Sequence, residues 1–470
     1  MNRNILLVEP GFKTKFPPMG LMKISSYHKL LNDNVTFVKG ISSSIAYQNF
    51  WDRIYISSVF TYNWKSTVDS INYYKTVVKG DSERIFVGGI LATLMPKELW
   101  EETGIVPITG LLDSPGSLRE NNNIIVDKLL PDYELFNDFD NNYSLLDDSY
   151  FGYSTRGCVR DCSFCAVTTL EPEFEDYTGI KPYINGIIEK YGEKQNLVLF
   201  DNNIVASEKF EKVIDDIVDL GFHKESKFMR RHRKVDFNQG TDARLMNDTN
   251  MELLSKIAIN PLRIAFDYLK MEKAYSNAIR LAAKYKIKYL SNYILYNFKD
   301  TPVDLWKRLK INIDLNKELG LKIYSFPMKY IPLNAKDRTY IGEPKWNWYY
   351  IRGIQRITNV LKGAVMPDES FFIRAFGEST EEFYTILHMP EEIIMNRGKT
   401  AGSDEIDWLN KFNLLSKNEK NELLSILCTH KNSTQIQQAV ITTKSRRMKN
   451  ILEYYMLENH KNQLHLELHN

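Results

Sequence analysis

Short runs rich in Ile and Val alternate with amphipathic stretches along most of the chain, and that alternation narrows the possible folds more than any other feature. Residues 4–10, 35–38, 53–60 and 84–89 read as strands, while 20–31 and 65–78 place apolar residues three and four apart, as helices do. Strands separated by helices build parallel, doubly wound sheets. Such sheets bind ligands beyond the carboxyl ends of their strands. Gly88-Gly89 closes the fourth run and implies a close backbone approach there, or a plain tight turn. Residues 131–150 carry Asp132, Glu134, Asp138, Asp140, Asp147 and Asp148 without Lys or Arg, which reads as a solvated acidic linker.

The alternation then resumes. Strands are expected over 150–155, 196–201, 234–239, 262–267, 289–296 and 322–329, and helices over 182–191, 208–220, 249–258, 272–285 and 302–319. The last helix has a clear start, with Thr301 as N-cap, Pro302 at the first helical position and Asp304 at the third. Past Asp337, Trp346, Trp348, Tyr349, Tyr350, Phe371, Phe372 and Phe376 crowd a region with helical periodicity over 348–361 and 418–427. This predicts a mostly helical cap with aromatics in its core. The expected organisation is thus α/β: a doubly wound sheet domain over 1–125, a linker over 126–149, a strand–helix core over 150–335 and a helical cap over 336–470.

Four cysteines occur in 470 residues, and Cys158, Cys162 and Cys165 fall within one short loop after the strand at 150–155. Three thiolates at gaps of three and two suit an iron–sulfur cubane, whose fourth iron stays open, better than zinc, which wants four ligands. The rival readings are an incomplete zinc site borrowing a histidine, or unliganded thiols. No histidine lies between Ser154 and Lys190, and Cys428 is distant in sequence.

Cys-x3-Cys-x2-Cys with the aromatic Phe164 before the last cysteine resembles the signature of the radical S-adenosylmethionine (SAM) superfamily. The resemblance implies a [4Fe-4S] cluster on the three cysteines, SAM chelated at the open iron, a 5′-deoxyadenosyl radical that abstracts hydrogen from substrate, and a partial six-fold barrel. Sites in such barrels lie at the carboxyl ends of the strands, and the residues there are polar. The resemblance makes Asp201 or Asn202 an acceptor for the amino group of SAM; an Asx turn is the alternative. Arg244 has the planar fork that suits the methionine carboxylate, with Gln239 near the ribose; a salt bridge from Arg244 to Asp242 or Asp267 is the alternative. Asp267, Tyr293, Asn297, Lys329 and Tyr330 are rim positions for adenosine, substrate or packing.

The first domain, with Pro17-Pro18-Met19-Gly20 before its first helix, resembles the cobalamin-binding domain found ahead of many radical-SAM cores. It lacks the Asp-x-His-x-x-Gly segment of that family's familiar branch, so cobalamin is a possible cofactor, and His28, inside a helix, is read as structural. A single cysteine outside the trio excludes a second cluster held by three or four of the chain's own thiolates.

The charge, 61 basic against 59 acidic residues, argues for no global nucleic-acid or membrane field. Two basic clusters, Lys227 with Arg230–Lys234 and Lys444–Lys449, are read as solvated faces, with phosphate contact as the rival. No apolar stretch approaches a membrane span, and the first residues do not match a signal peptide, so a reducing cytoplasm is expected. The resemblance also implies an external electron donor such as flavodoxin or ferredoxin. His460, His465 and His469 sit in a polar tail with no sign of catalysis. A binding module with a structural cluster or zinc ion, and a redox-sensing regulator, are the rival functions.

Overall fold

Four of the expected strands form one parallel sheet in the order β2-β1-β3-β4: β1 Asn4–Glu9, β2 Asn34–Lys39, β3 Arg53–Ser58 and β4 Ile85–Gly89. The structure is a computed structural model that describes residues 2–139, 143–397, 403–430 and 433–456. Helices Met19–Leu30 and Trp64–Val77 cover the sheet, and Leu6, Val8, Ile54, Ile56, Ile71 and Val87 are sealed from solvent. The strand order reverses between β1 and β3, which is where an open sheet of this kind leaves a crevice at its carboxyl edge. The expected close approach is there. Gly89 has φ +104°, and a Cβ on it would lie 2.2 Å from the Ser58 carbonyl oxygen, so only glycine lets the two strand ends meet.

A second parallel sheet follows, built from β5 Ser149–Gly152, β6 Asn196–Leu199 and β9 Lys234–Phe237. The basic cluster before β9 forms an antiparallel hairpin, β7 Lys227–Phe228 and β8 Arg231–His232, turning through Met229 and Arg230 at positive φ. Both sheets belong to one compact unit, Met1–Ile264 with Lys284–Ile287 and Ile331–Tyr340. Strand β10 spans only Leu262–Arg263, shorter than the expected 262–267. The carbonyls of Phe266 and Asp267 are taken instead by the buried Arg308 guanidinium, at 3.2 and 2.7 Å.

The expected acidic linker is not a solvated tether, and the boundary at 126–149 falls inside this unit. Asp132 is fully buried, accepting from Ser25 Oγ at 2.6 Å and pairing with Lys29 at 2.7 Å. Tyr133, Phe136, Tyr143 and Leu146 are buried with it, and Phe136 meets Phe37 of β2 edge to face. The aromatics interleaved with the acids supply an apolar face that reading the charges alone overlooks. Glu134, Asp138 and Asp147 are exposed as expected, and Asp140 lies outside the described residues.

The second unit comprises Ala265–Ala283, Lys288–Tyr330 and Ile341–Asn470. Strands β11 Tyr289–Tyr296 and β12 Lys322–Lys329 pair in parallel, linked by helix Pro302–Leu319, which carries the full Thr301–Asp304 capping box. Among the described residues the part from Trp348–Val360 onward is mostly helical, and Trp346, Phe372, Phe376, Phe383 and Trp408 lie in its core. The aromatics expected in the core are largely there. His460, His465 and His469 lie outside the described residues.

Candidate functional site

Beyond β5 the chain runs through Tyr153–Gly157 into the cysteine loop, and the end of β6 braces it. Asp201 is fully buried, and its carboxylate accepts the Ser154 and Thr155 amides at 2.9 and 2.5 Å and their hydroxyls at 2.6 and 2.8 Å. Burial pushes its pKa up against these hydrogen bonds. All four of these contacts fall on Oδ1, and Oδ2 takes only a longer one from the Ser154 amide at 3.1 Å; through them Asp201 anchors the loop. Its neighbour Asn202 donates to Glu171 Oε2 at 2.9 Å.

Glu171 is a hub. It also accepts the Gly157 amide at 2.6 Å and pairs with Arg156 at 2.8 Å. Arg156 is buried, with its guanidinium 4.0 Å above the Tyr153 ring, and approaches Asp127 at 3.9 Å. Asp127 in turn pairs at 2.9 Å with Lys23, a buried lysine of helix Met19–Leu30. Burial works to raise the Asp127 pKa, but Lys23 and Arg156 hold its carboxyl below the usual range; burial lowers that of Lys23. Gly157 has φ +73°, and a Cβ there would sit 2.3 Å from the Glu173 carbonyl oxygen.

The three cysteines are all half-buried. Cys158 Sγ accepts the Arg160 amide at 3.4 Å and Asn203 Nδ2 at 3.6 Å, and the Cys165 amide closes a turn on the Cys162 carbonyl at 2.8 Å. Asp242 ties two arginines to the loop through their Nε groups, Arg160 at 2.9 Å and Arg244 at 2.7 Å. The hydrogen bond to Asp242, and a further one to Cys162, hold Arg244 in its charged form. Among the described residues no three His, Cys, Asp or Glu side chains are drawn together to hold one metal ion. In a cubane each thiolate takes a different iron. Three half-buried thiols beside two cations fit a cubane's ligand set.

Of the remaining expected residues, Phe164 is half-buried within the loop, and Gln239 is exposed in the turn before Gly240. The salt bridge weighed for Arg244 is present, to Asp242. Asp267 belongs to the second unit, where Arg308 holds its carbonyl. Asn297, also there, bridges the Tyr330 carbonyl at 3.2 Å and the Gly342 amide at 2.8 Å, a packing role. His28 is structural, lying between Asp33 at 2.8 Å and Tyr55 at 3.0 Å with no exposure. Sequence reasoning did not single out Lys23, Asp127, Arg156, Glu171 or Asn203. The one local signal was Arg156, set directly before Gly157-Cys158.

The carboxyl edge of the first sheet is turned toward this loop. Helix Ile90–Leu94, which starts at Gly89, packs against helix Val167–Leu170, which follows Cys165. Phe16, in the loop after β1, meets Phe200 at the end of β6 edge to face at 5.6 Å.

No protein-family model matches the chain, and no curated protein does. Among solved structures it is similar to the radical S-adenosylmethionine methyltransferase TsrM from Kitasatospora setae with cobalamin and [4Fe-4S] cluster bound, at 12% identity and TM-score 0.50 over 71% of this chain and 77% of that one. The same protein with tryptophan and a SAM analogue bound aligns at 12% identity and TM-score 0.47, over 67% of this chain and 72% of that one. The likeness shows a shared fold: α/β with parallel sheets and a mostly helical C-terminal region. No helix among the described residues is long and apolar enough to cross a membrane.

Proposed function

We propose that the chain is a radical-SAM enzyme whose [4Fe-4S] cluster is held by Cys158, Cys162 and Cys165. It cleaves SAM reductively, and the resulting 5′-deoxyadenosyl radical abstracts hydrogen from a substrate yet to be identified. The observation that carries this is a loop of three half-buried thiols, braced by Asp201 and flanked by Arg160 and Arg244. A cubane bound there supplies the low-potential electron that breaks the sulfonium of SAM. The chain's own residues do the rest. Asp201 fixes Ser154 and Thr155, Glu171 fixes Gly157, and Asp242 sets both arginines through Nε, so that Arg160, and the donors of Arg244 beyond its bond to Cys162, can grip an anionic ligand such as the methionine carboxylate. Gln239, Asn202 and Asp267 remain proposals for ribose, amino group and adenosine or substrate.

A second reading is at least as well supported: methyl transfer through cobalamin seated at the carboxyl edge of the first sheet. The packing of Ile90–Leu94 on Val167–Leu170 favours it, because it brings that edge beside the cysteine loop. An external donor such as flavodoxin or ferredoxin, and a cytoplasmic setting, follow from either reading. Nucleic-acid binding through the β7–β8 hairpin is the weaker rival: the hairpin leads into the amino end of β9, at the opposite edge from the cysteines, and Arg231 is paired with Asp148.

The test is anaerobic reconstitution with iron and sulfide, followed by dithionite and SAM. Wild type should release 5′-deoxyadenosine, and the triple Cys158/Cys162/Cys165→Ala variant should not; equal release would end the proposal. Release of S-adenosylhomocysteine, with corrinoid absorbance after growth on hydroxocobalamin, would select the second reading.

A further inference from the structure

Lys23, Asp127, Arg156 and Glu171 form a row of alternating charge from the first sheet's helix to the backbone of the cysteine loop, with Lys23 and Arg156 buried and Asp127 and Glu171 partly buried. Its contacts are 2.9 Å for Lys23–Asp127, 3.9 Å for Asp127–Arg156, 2.8 Å for Arg156–Glu171 and 2.6 Å from Glu171 to the Gly157 amide. Lys23 is only 6% exposed, and its ammonium also donates to the Asp127 carbonyl. Apolar residues of similar volume often serve stability as well as a buried ion pair does, or better. What the row provides instead is a defined geometry, because removing any member leaves a desolvated charge beside the next. The last link is the amide of Gly157, one residue before Cys158.

We propose that Lys23, a residue of the first sheet's own helix, is a positioning residue for Cys158, acting through Asp127, Arg156 and Glu171. The proposal rests on the cluster reading above for its iron readout. The first sheet then sets the register of the cluster ligand, so the two modules are coupled through charge as well as through packing. Lys29, on the same helix, pairs with the buried Asp132 and has no part in the row, which makes it the matched control.

The experiment compares full-length wild type with K23M, K23R, E171Q, the K23M/E171Q double variant and K29M, each reconstituted anaerobically. Iron release to a chelator and the electron paramagnetic resonance spectrum of the reduced cluster are read beside the melting temperature. Iron release should quicken about tenfold in K23M, the lower end of the cost of losing an outer-shell partner. K23R should stay near wild type, and the double variant should be no faster than E171Q alone. K29M should lower the melting temperature without changing release or spectrum. Wild-type release from K23M, or a K23M effect no larger than that of K29M at equal melting temperature, would overturn the proposal. If wild type takes up no iron, the cluster reading fails separately. The positioning is then judged by the alkylation rate of Cys158 in iron-free protein, where K23M must still be faster and an unchanged rate refutes it.

Discussion

Replacing Asp201 tests whether it braces the cysteine loop or serves a ligand. In D201A the amides of Ser154 and Thr155, both fully buried, lose their acceptor, while the two hydroxyls can rotate toward other partners. A buried donor left unsatisfied costs about 1–3 kcal/mol, so the pair predicts a loss of about 4 kcal/mol. In D201N the oxygen that takes most of the bonds remains, but its charge does not, and the new amide hydrogens oppose the Ser154 amide at 3.1 Å; about 2 kcal/mol is expected. For a unit of this size each kcal/mol moves the melting temperature by about 2–4 °C, placing D201A about 8–16 °C below wild type. Thermal unfolding of the iron-free chain, followed by circular dichroism, measures this without any cofactor. Iron uptake should fall in the same order. A D201A melting temperature within about 2 °C of wild type, combined with a selective loss of SAM affinity, would refute the brace and restore the ligand role implied by the family resemblance.

Three further outcomes are expected. G157A should be poorly folded around the cysteine loop and take up little iron, because an L-residue at φ +73° costs about 1–2 kcal/mol before the Cβ meets the Glu173 carbonyl at 2.3 Å; near-normal iron content would contradict this. D242N should destabilise the chain by no more than about 1 kcal/mol, since Arg160 and Arg244 are 35% and 43% exposed, yet should speed alkylation of Cys162 in the iron-free protein by freeing both arginines. Burial, opposed by Asp33, holds the His28 pKa down to about 4, so the neutral ring is the folded form. Its contribution is complete above the unfolded value near 6.5 and is lost as the pH falls toward 4, about 3 kcal/mol in all. Urea unfolding at pH 7.5 and 4.5 should show this slope and H28Q should flatten it; an equal slope in both would rule His28 out.

The parts of the fold legible in the sequence are those fixed by local chemistry. Thr301, Pro302 and Asp304 give the start of the helix Pro302–Leu319, and the apolar and aromatic runs on either side of that helix give β11 and β12 to the residue. The trio of cysteines was legible because its spacing is itself the ligand pattern. Partnerships across long sequence distance were not. Asp201 serves Ser154 and Thr155, Lys23 meets Asp127 and Asp242 meets Arg160, and nothing local distinguishes these from solvated charges. The acidic stretch was misread for the converse reason: its charges are conspicuous in sequence, whereas the burial of Tyr133, Phe136 and Tyr143 depends on the sheet they pack against.

That packing has a consequence for how the molecule comes apart. Asp132 is clasped by Ser25 and Lys29, and Phe136 rests on Phe37, so the segment between the two sheets is stitched under the first of them. Proteases would find little to cut at the stitched part, residues 131–136, and severing the chain there would strip a hydrophobic patch from the amino-terminal half. The two sheets should therefore melt together in one cooperative step, and neither half should survive as an independently soluble fragment.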